Sequence, residues 1–163
     1  MNVAEILSVL KRIDFLHGLP EDDLRELARI SRADEYPRHH VIFEELDLTK
    51  DVYFIVSGVV SLVICTPHVG CRHLTEVRAG ELLGWSPLIH QHRTSAMART
   101  LEPTRVLTID GEKLLEFCRE NTAFGFEFML RTVEVLAQRL RSTRMQLLDT
   151  GGVRLPEVVL ESD

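Results

Sequence analysis

A chain of 163 residues with 45% hydrophobic and 27% charged residues has the make-up of a globular protein with one core rather than two. Its formal charge of −6 at pH 7 gives no general pull toward phosphate backbones or anionic lipid, so nucleic acid is not an expected direct partner. No stretch approaches the roughly twenty apolar residues of a membrane span, and none is expected.

The start, MNVAEILSVLKRIDF, mixes Glu5, Lys11, Arg12 and Asp14 into its apolar pattern. That is not the pattern of a secretion signal, and the expected location is the cytoplasm. Val3, Ile6, Leu7 and Leu10 share one helical face. A second helix begins after Leu19-Pro20, where Glu21, Asp22 and Asp23 place acid in the first turn. Leu24, Leu27, Ala28 and Ile30 form its apolar side, and it should fade by Ala33-Asp34.

From Glu35 to Ile109 the period changes to two. In DVYFIVSGVVSLVICT, Val52, Phe54 and Val56 alternate with Tyr53 and Ile55, Ser57-Gly58 makes a turn, and the following run is rich in β-branched residues. HLTEVRAGELLG and SAMARTLEPTRVLTID supply further strands. Short strands at this spacing predict an antiparallel sandwich or roll. Cys65, Cys71 and Cys118 are odd in number and lack CxxC spacing, which suits reduced thiols better than a disulfide frame or zinc site.

Asp110-Gly111 hands over to a short helix, GEKLLEFCREN, with Leu114, Leu115 and Phe117 inward. A long helix follows from about Thr122 to Leu148, carried by Phe124, Phe128, Val135, Leu136, Leu140 and Leu147. About 27 residues of helix span roughly 40 Å, more than a small roll needs to cover itself. Its second half narrows to an apolar stripe flanked by Arg139, Arg141 and Arg144, as a homodimer seam does. Gly151-Gly152 should end it. The domain is then residues 1–150 and the short tail 151–163, where Leu155, Val158, Val159 and Leu160 could dock on a surface. The residues after Leu148 contain Gly-Gly, Pro156 and carboxylic side chains rather than a basic recognition helix, so no DNA-binding module is expected in them.

Helices, a roll of about eight strands, a short helix and a long one resemble the cyclic-nucleotide-binding domain of the catabolite activator and protein kinase A regulatory families. FLHGLPEDDLRELA is similar to the family's opening helix, DVYFIVSGVVSLV to its central hairpin, RAGELLGWSPL to its phosphate-binding cassette and RLRSTRMQLL to the end of its dimer helix. The resemblance covers Phe15 to about Asp149. It implies a mainly β α+β fold with an antiparallel β-roll, and a non-catalytic regulatory domain that senses cyclic AMP, cyclic GMP or another small anionic ligand. Output would pass through a homodimer or a partner protein that the sequence does not name.

Candidate ligand contacts follow from the resemblance: Leu82, Leu83, Gly84, Trp85, Ser86, Arg93, Thr94 and Ser95 in the cassette, and Thr143 on the long helix. Two positions in the cassette depart from the family. Trp85 stands where a glutamate usually holds the ribose, and an indole accepts no hydrogen bond. Thr94 stands where the phosphate-binding arginine belongs, with Arg93 one residue earlier and so facing the other way on a regular strand. Either Trp85 plugs the pocket, leaving a ligand-free scaffold, or it lines a pocket remade for another ligand. Leu46 replaces the glycine of the family's Glu-Gly-Asp turn and should force that turn to differ.

Other chemistry lacks a pattern. His90-Gln91-His92 resembles the start of a cupin metal site, but no glutamate follows until Glu102, a spacing that fails. No GxSxG elbow and no local histidine–carboxylate pairing supports a hydrolase, so an enzyme is not expected.

Overall fold

The computed structural model describes residues 1–68, 70–89 and 93–149, with Leu148 and Asp149 in backbone only. Among them, helices α1 (Val3–Leu10) and α2 (Glu21–Arg29) precede strands β1 (Ser31–Tyr36), β2 (Val41–Phe43), β3 (Asp51–Ser57), β4 (Val59–Thr66), β5 (Gly70–Arg78), β6 (Leu82–Leu83), β7 (Met97–Thr100) and β8 (Thr104–Asp110). Helices α3 (Gly111–Glu120) and α4 (Thr122–Asp149) follow. The strands form two antiparallel sheets, ordered β1-β8-β3-β6 and β2-β7-β4-β5, so the expected mainly β roll is the fold.

The sequence DVYFIVS is apolar in both registers because β3 lies between two cores. Val52 and Phe54 face the core beneath the helices, with Leu107, Ile109, Leu114, Phe124 and Phe128. Tyr53 and Ile55 face the interior between the sheets, with Phe43, Val60, Val77, Leu83 and Val106. A strand buried on both sides loses the apolar-polar alternation of a half-exposed one.

Local chemistry fixes the helix starts. Asn2 Oδ1 accepts from the Glu5 amide and the Glu5 carboxylate from the Asn2 amide, each at 2.9 Å, closing a capping box on α1. Asp110 Oδ1 accepts from the amides of Glu112 and Lys113 at 3.0 and 3.1 Å and starts α3. Asn121 then bends the chain into α4, its Oδ1 accepting from Phe124 N and its Nδ2 donating to Asp23 of α2. At Gly125 the two helices meet so closely that a Cβ would collide with the Cys118 carbonyl.

Two expectations are corrected. The second helix does not run to Ala33-Asp34: α2 ends at Arg29, and Ser31 to Tyr36 pair with β8 from Ser31↔Ile109 to Tyr36↔Thr104. Pairing with a central strand outweighs the weak helical preference of SRADEY. Nor are the cysteines all reduced. Cys65 and Cys71 sit directly opposite on β4 and β5 and are bonded to each other, while Cys118 is free and buried.

The first half of α4 buries Phe124, Phe128 and Thr132. Its second half lies along the roll, where Arg139 donates to the carbonyl of Leu82 and Gln146 Nε2 to that of Leu74 at 2.6 Å. Its outer face shows Phe126, Val133, Leu140 and Leu147. Among the described residues no helix is long and apolar enough to cross a membrane. The expected helix end at Gly151-Gly152 and the tail 151–163 lie outside the described residues.

Candidate functional site

The cassette begins where β6 leaves the first sheet. Leu82 points into the core under the helices and Leu83 into the roll, the alternation of a strand kept over two residues. Gly84 then turns the chain at φ +75, with the Tyr53 ring 3.1 Å from where a Cβ would stand. No other residue fits that conformation and that approach as cheaply. Trp85 follows and its carbonyl accepts from Leu88 N at 2.9 Å, opening a 3-10 turn over Ser86–Ile89. Trp85 is half-buried and packs against the helix-side core. Residues 90–92, with both histidines of the HxH pattern, are outside the described residues.

Beyond them the chain returns along the β2–β3 turn. Arg93 bridges Leu48 and is exposed, with its Nη1 donating to the Leu46 carbonyl at 2.8 Å. It therefore turns away from the cassette. Thr94 is 2% exposed; its amide donates to Asp47 O, its carbonyl accepts from Leu46 N, and its hydroxyl donates to Glu44 O. These bonds clamp the turn that was expected to change. Leu46 instead keeps it by taking φ 66, a left-handed conformation that costs a non-glycine residue about 1–2 kcal/mol.

A cavity of about 30 Å³ remains between cassette and roll, walled by Leu83, Gly84, Trp85, Ser86, Thr94 and Ser95. Phe43, Leu62, Ala96 and Arg139 complete the wall. Six of the nine candidate contacts thus converge there. Leu82 contributes its carbonyl to Arg139. Arg93 and Thr143 stand outside the wall, and the Thr143 hydroxyl donates back to its own helix at Arg139 O, 3.0 Å away. The volume holds a water or two.

Among the described residues Arg139 is the charged group in that wall, and it comes from α4 rather than from the cassette. Sequence reasoning set it beside a dimer seam. Its inward position was nevertheless legible, because it follows Val135, which packs on the core, by one helical turn. Burial holds its guanidinium below the ordinary arginine pKa, with the Glu81 charge opposing. The bond to Leu82 O is the side-chain hydrogen bond it makes among the described residues, and the Glu81 carboxylate acts on it through its charge rather than as a bonded partner. Arg131, two turns earlier, is satisfied: it pairs with Glu127 at 2.7 Å and donates to the carbonyls of Phe15 and His17.

A larger groove, about 670 Å³, runs between α3 and the β2–β3 loop beside Leu48, Lys50, Glu112 and Arg119. Its charges are mixed and do not converge on a point, so the smaller cavity is the better candidate. Among the described residues no group of three or more His, Cys, Asp or Glu side chains could hold a metal ion.

Comparison with known proteins places this geometry. The chain is 25% identical over 141 residues to the CRP-like cAMP-activated global transcriptional regulator of Mycobacterium tuberculosis, covering 86% of this chain and 61% of that one. It is 28% identical over 140 residues to the cyclic AMP receptor protein of Thermus thermophilus, covering 85% and 62%. The chain therefore spans about three-fifths of the length of these curated relatives, which are regulators and not enzymes. A solved cyclic nucleotide-binding domain from Methylobacillus flagellatus shares the fold, with a TM-score of 0.77 over 96% of this chain and 86% of that one at 21% identity. Residues 33–121 match the model of the cyclic nucleotide-binding domain, more than half the chain, and to that family the chain belongs.

Proposed function

We propose that this chain is a non-catalytic regulatory sensor domain whose cavity, between cassette and long helix, takes a small anionic ligand. The observation that carries this reading is the bond from Arg139 of α4 to the Leu82 carbonyl of the cassette. One wall of the cavity is thus a helix anchored firmly at its first half and by side-chain tethers at its second. A ligand that displaces Arg139 favours a different setting of α4, and that difference in affinity between two settings is what a sensor requires. The outer stripe of Phe126, Val133, Leu140 and Leu147, spaced seven residues apart, suits a homodimer seam as the readout; a partner protein on the same face is the other route. Cyclic AMP and cyclic GMP are the first ligands to try, because the names of two relatives refer to cyclic AMP.

A second reading rests on the cavity's size. About 30 Å³ is a tenth of what a typical small-molecule site of about 300 Å³ or more offers, so a ligand-free dimerisation scaffold with Trp85 as its plug is the alternative.

Thermal denaturation with cyclic AMP, cyclic GMP and cyclic di-GMP, read beside Trp85 fluorescence, separates the two. A ligand at a hundred times its Kd adds about 2.7 kcal/mol of stability and a rising Tm. No shift and no change at Trp85 supports the scaffold.

A further inference from the structure

The tip of the β4–β5 hairpin carries chemistry that the cavity does not use. We infer that Cys65 and Cys71 form a reversible thiol–disulfide exchange site open to dithiol reductants, and that its redox state sets how firmly the end of α4 is held. This stands apart from the ligand reading above and gives the same helix a second input.

Access comes first. Both cysteines are exposed, as are their neighbours Thr66, Gly70 and Arg72. Neither belongs to the core beneath the helices or to the one between the sheets, so a reagent thiolate can reach the sulfurs without opening the fold. Arg72 adds a positive charge beside Cys71, its Nη1 donating to the Cys71 carbonyl at 3.0 Å, which favours both an approaching thiolate and the one released. The exchange balances in two steps. A thiolate of the dithiol attacks one sulfur, forms a mixed disulfide and expels the other cysteine as a thiolate that takes up a proton. The second reagent thiol then closes on its own partner and releases the first cysteine. The protein gains two electrons and two protons, the reagent leaves as its disulfide, and a small disulfide oxidant reverses the sequence. Cys118 is buried and stays out of it.

Coupling to α4 comes from register. β5 is the edge strand of its sheet, and among the described residues it pairs with β4 alone. The ladder slips by one residue between Leu62↔Thr75 and Val63↔His73, so Leu74 is the extra residue of a bulge. The Leu74 carbonyl is the one that accepts from Gln146 Nε2 of α4, at 2.6 Å. Bulge and disulfide require each other. Carried on without the slip, the register of Leu62↔Thr75 would set Cys65 against Arg72 and turn Cys71 to the opposite face. The covalent bond thus locks the register that presents Leu74 O to α4. Once it is reduced, the ribbon beyond the bulge is held, among the described residues, by its ladder and by the bond of 2.7 Å between the Ser61 hydroxyl and His73 Nδ1. A two-stranded ribbon is marginal on its own. Local opening there loosens the tie at Gln146 and leaves the Arg139 bond to Leu82 O in place.

The test uses the full chain, as wild type and as Cys65→Ser/Cys71→Ser, with dithiothreitol as the dithiol and oxidised glutathione as the oxidant. Alkylation by iodoacetamide in native buffer, read by mass spectrometry, counts the thiols. Hydrogen–deuterium exchange follows peptides spanning residues 70–76 and 140–149. The expected result is that dithiothreitol opens Cys65 and Cys71, but not Cys118, to alkylation in the folded protein, and that oxidised glutathione restores the pair. On reduction both peptides exchange about tenfold faster, while the first half of α4 and strands β3 and β8 do not change. The double variant exchanges like the reduced wild type under both conditions.

A bond that yields to dithiothreitol only in denaturant is a structural staple, and the inference falls. It falls as well if reduction quickens exchange at 70–76 but not at 140–149, or quickens it across both cores. A chain whose Cys65 and Cys71 stay unpaired under oxidised glutathione overturns it at the outset. None of these readouts touches the cavity, so ligand binding to the wild type succeeds or fails independently.

Discussion

Leu46 carries a backbone cost with little return from its side chain, which is 61% exposed while its φ stays at 66. Its neighbours hold it there through Leu46 N to Thr94 O and Asp47 N to Glu44 O. Leu46→Gly is therefore expected to stabilise the protein by about 1 kcal/mol, since glycine adopts this conformation freely. For a chain of this size that raises Tm by about 2–4 °C in a thermal melt. The sequence showed that a leucine stood in a glycine's place, but not which would yield, turn or residue. The turn persists because Thr94 spends its amide, carbonyl and hydroxyl on it. The same holds at Arg93, whose offset by one residue could be counted, while its direction depended on the path of the preceding loop.

Elements follow their sequence wherever local chemistry and tertiary pairing agree. Asp110 before GEKLLEFCREN marks the start of α3, and the glycine at the end of Ser57-Gly58 marks the hairpin of β3 and β4. They part where pairing decides alone, as at SRADEY, which β8 draws into a strand. The disulfide is another such case. A six-residue separation without CxxC spacing says nothing of register, yet the β4–β5 ladder sets Cys65 opposite Cys71. Closing so short a loop stabilises by about 2 kcal/mol in the chain-entropy view. In thermal melts under oxidising conditions Cys65→Ser should lose that amount. Dithiothreitol should lower the wild type to the level of the variant and leave the variant where it was. Cys118 does not complicate the comparison, because burial pushes its thiol up to about 11 and keeps it protonated and inert.

At the scale of the molecule, the roll and its two helical ends were readable from periodicity, and the cassette from the resemblance of RAGELLGWSPL to the family's own. The closing of the cavity was not. Its wall joins β2, β4, β6, the following loop and α4, and the Arg139 contact spans 57 residues, beyond the reach of local spacing. The dimer proposed for α4 makes its own prediction. Val133 and Leu140 are 59% and 51% exposed, so Val133→Glu and Leu140→Glu should leave the fold and its melting nearly unchanged. In a paired seam each would bury a charge and weaken association by about thirtyfold or more. Sedimentation velocity across a concentration series reads this directly, and unchanged association in both variants would place the seam elsewhere.

Arg139 and Gln146 both end on main-chain oxygens, those of Leu82 and Leu74. A peptide carbonyl survives every substitution of the residue that bears it. The docking of the long helix is thus insulated from drift in the side chains beneath it, and substitutions can accumulate along the cavity lining without undoing these two ties.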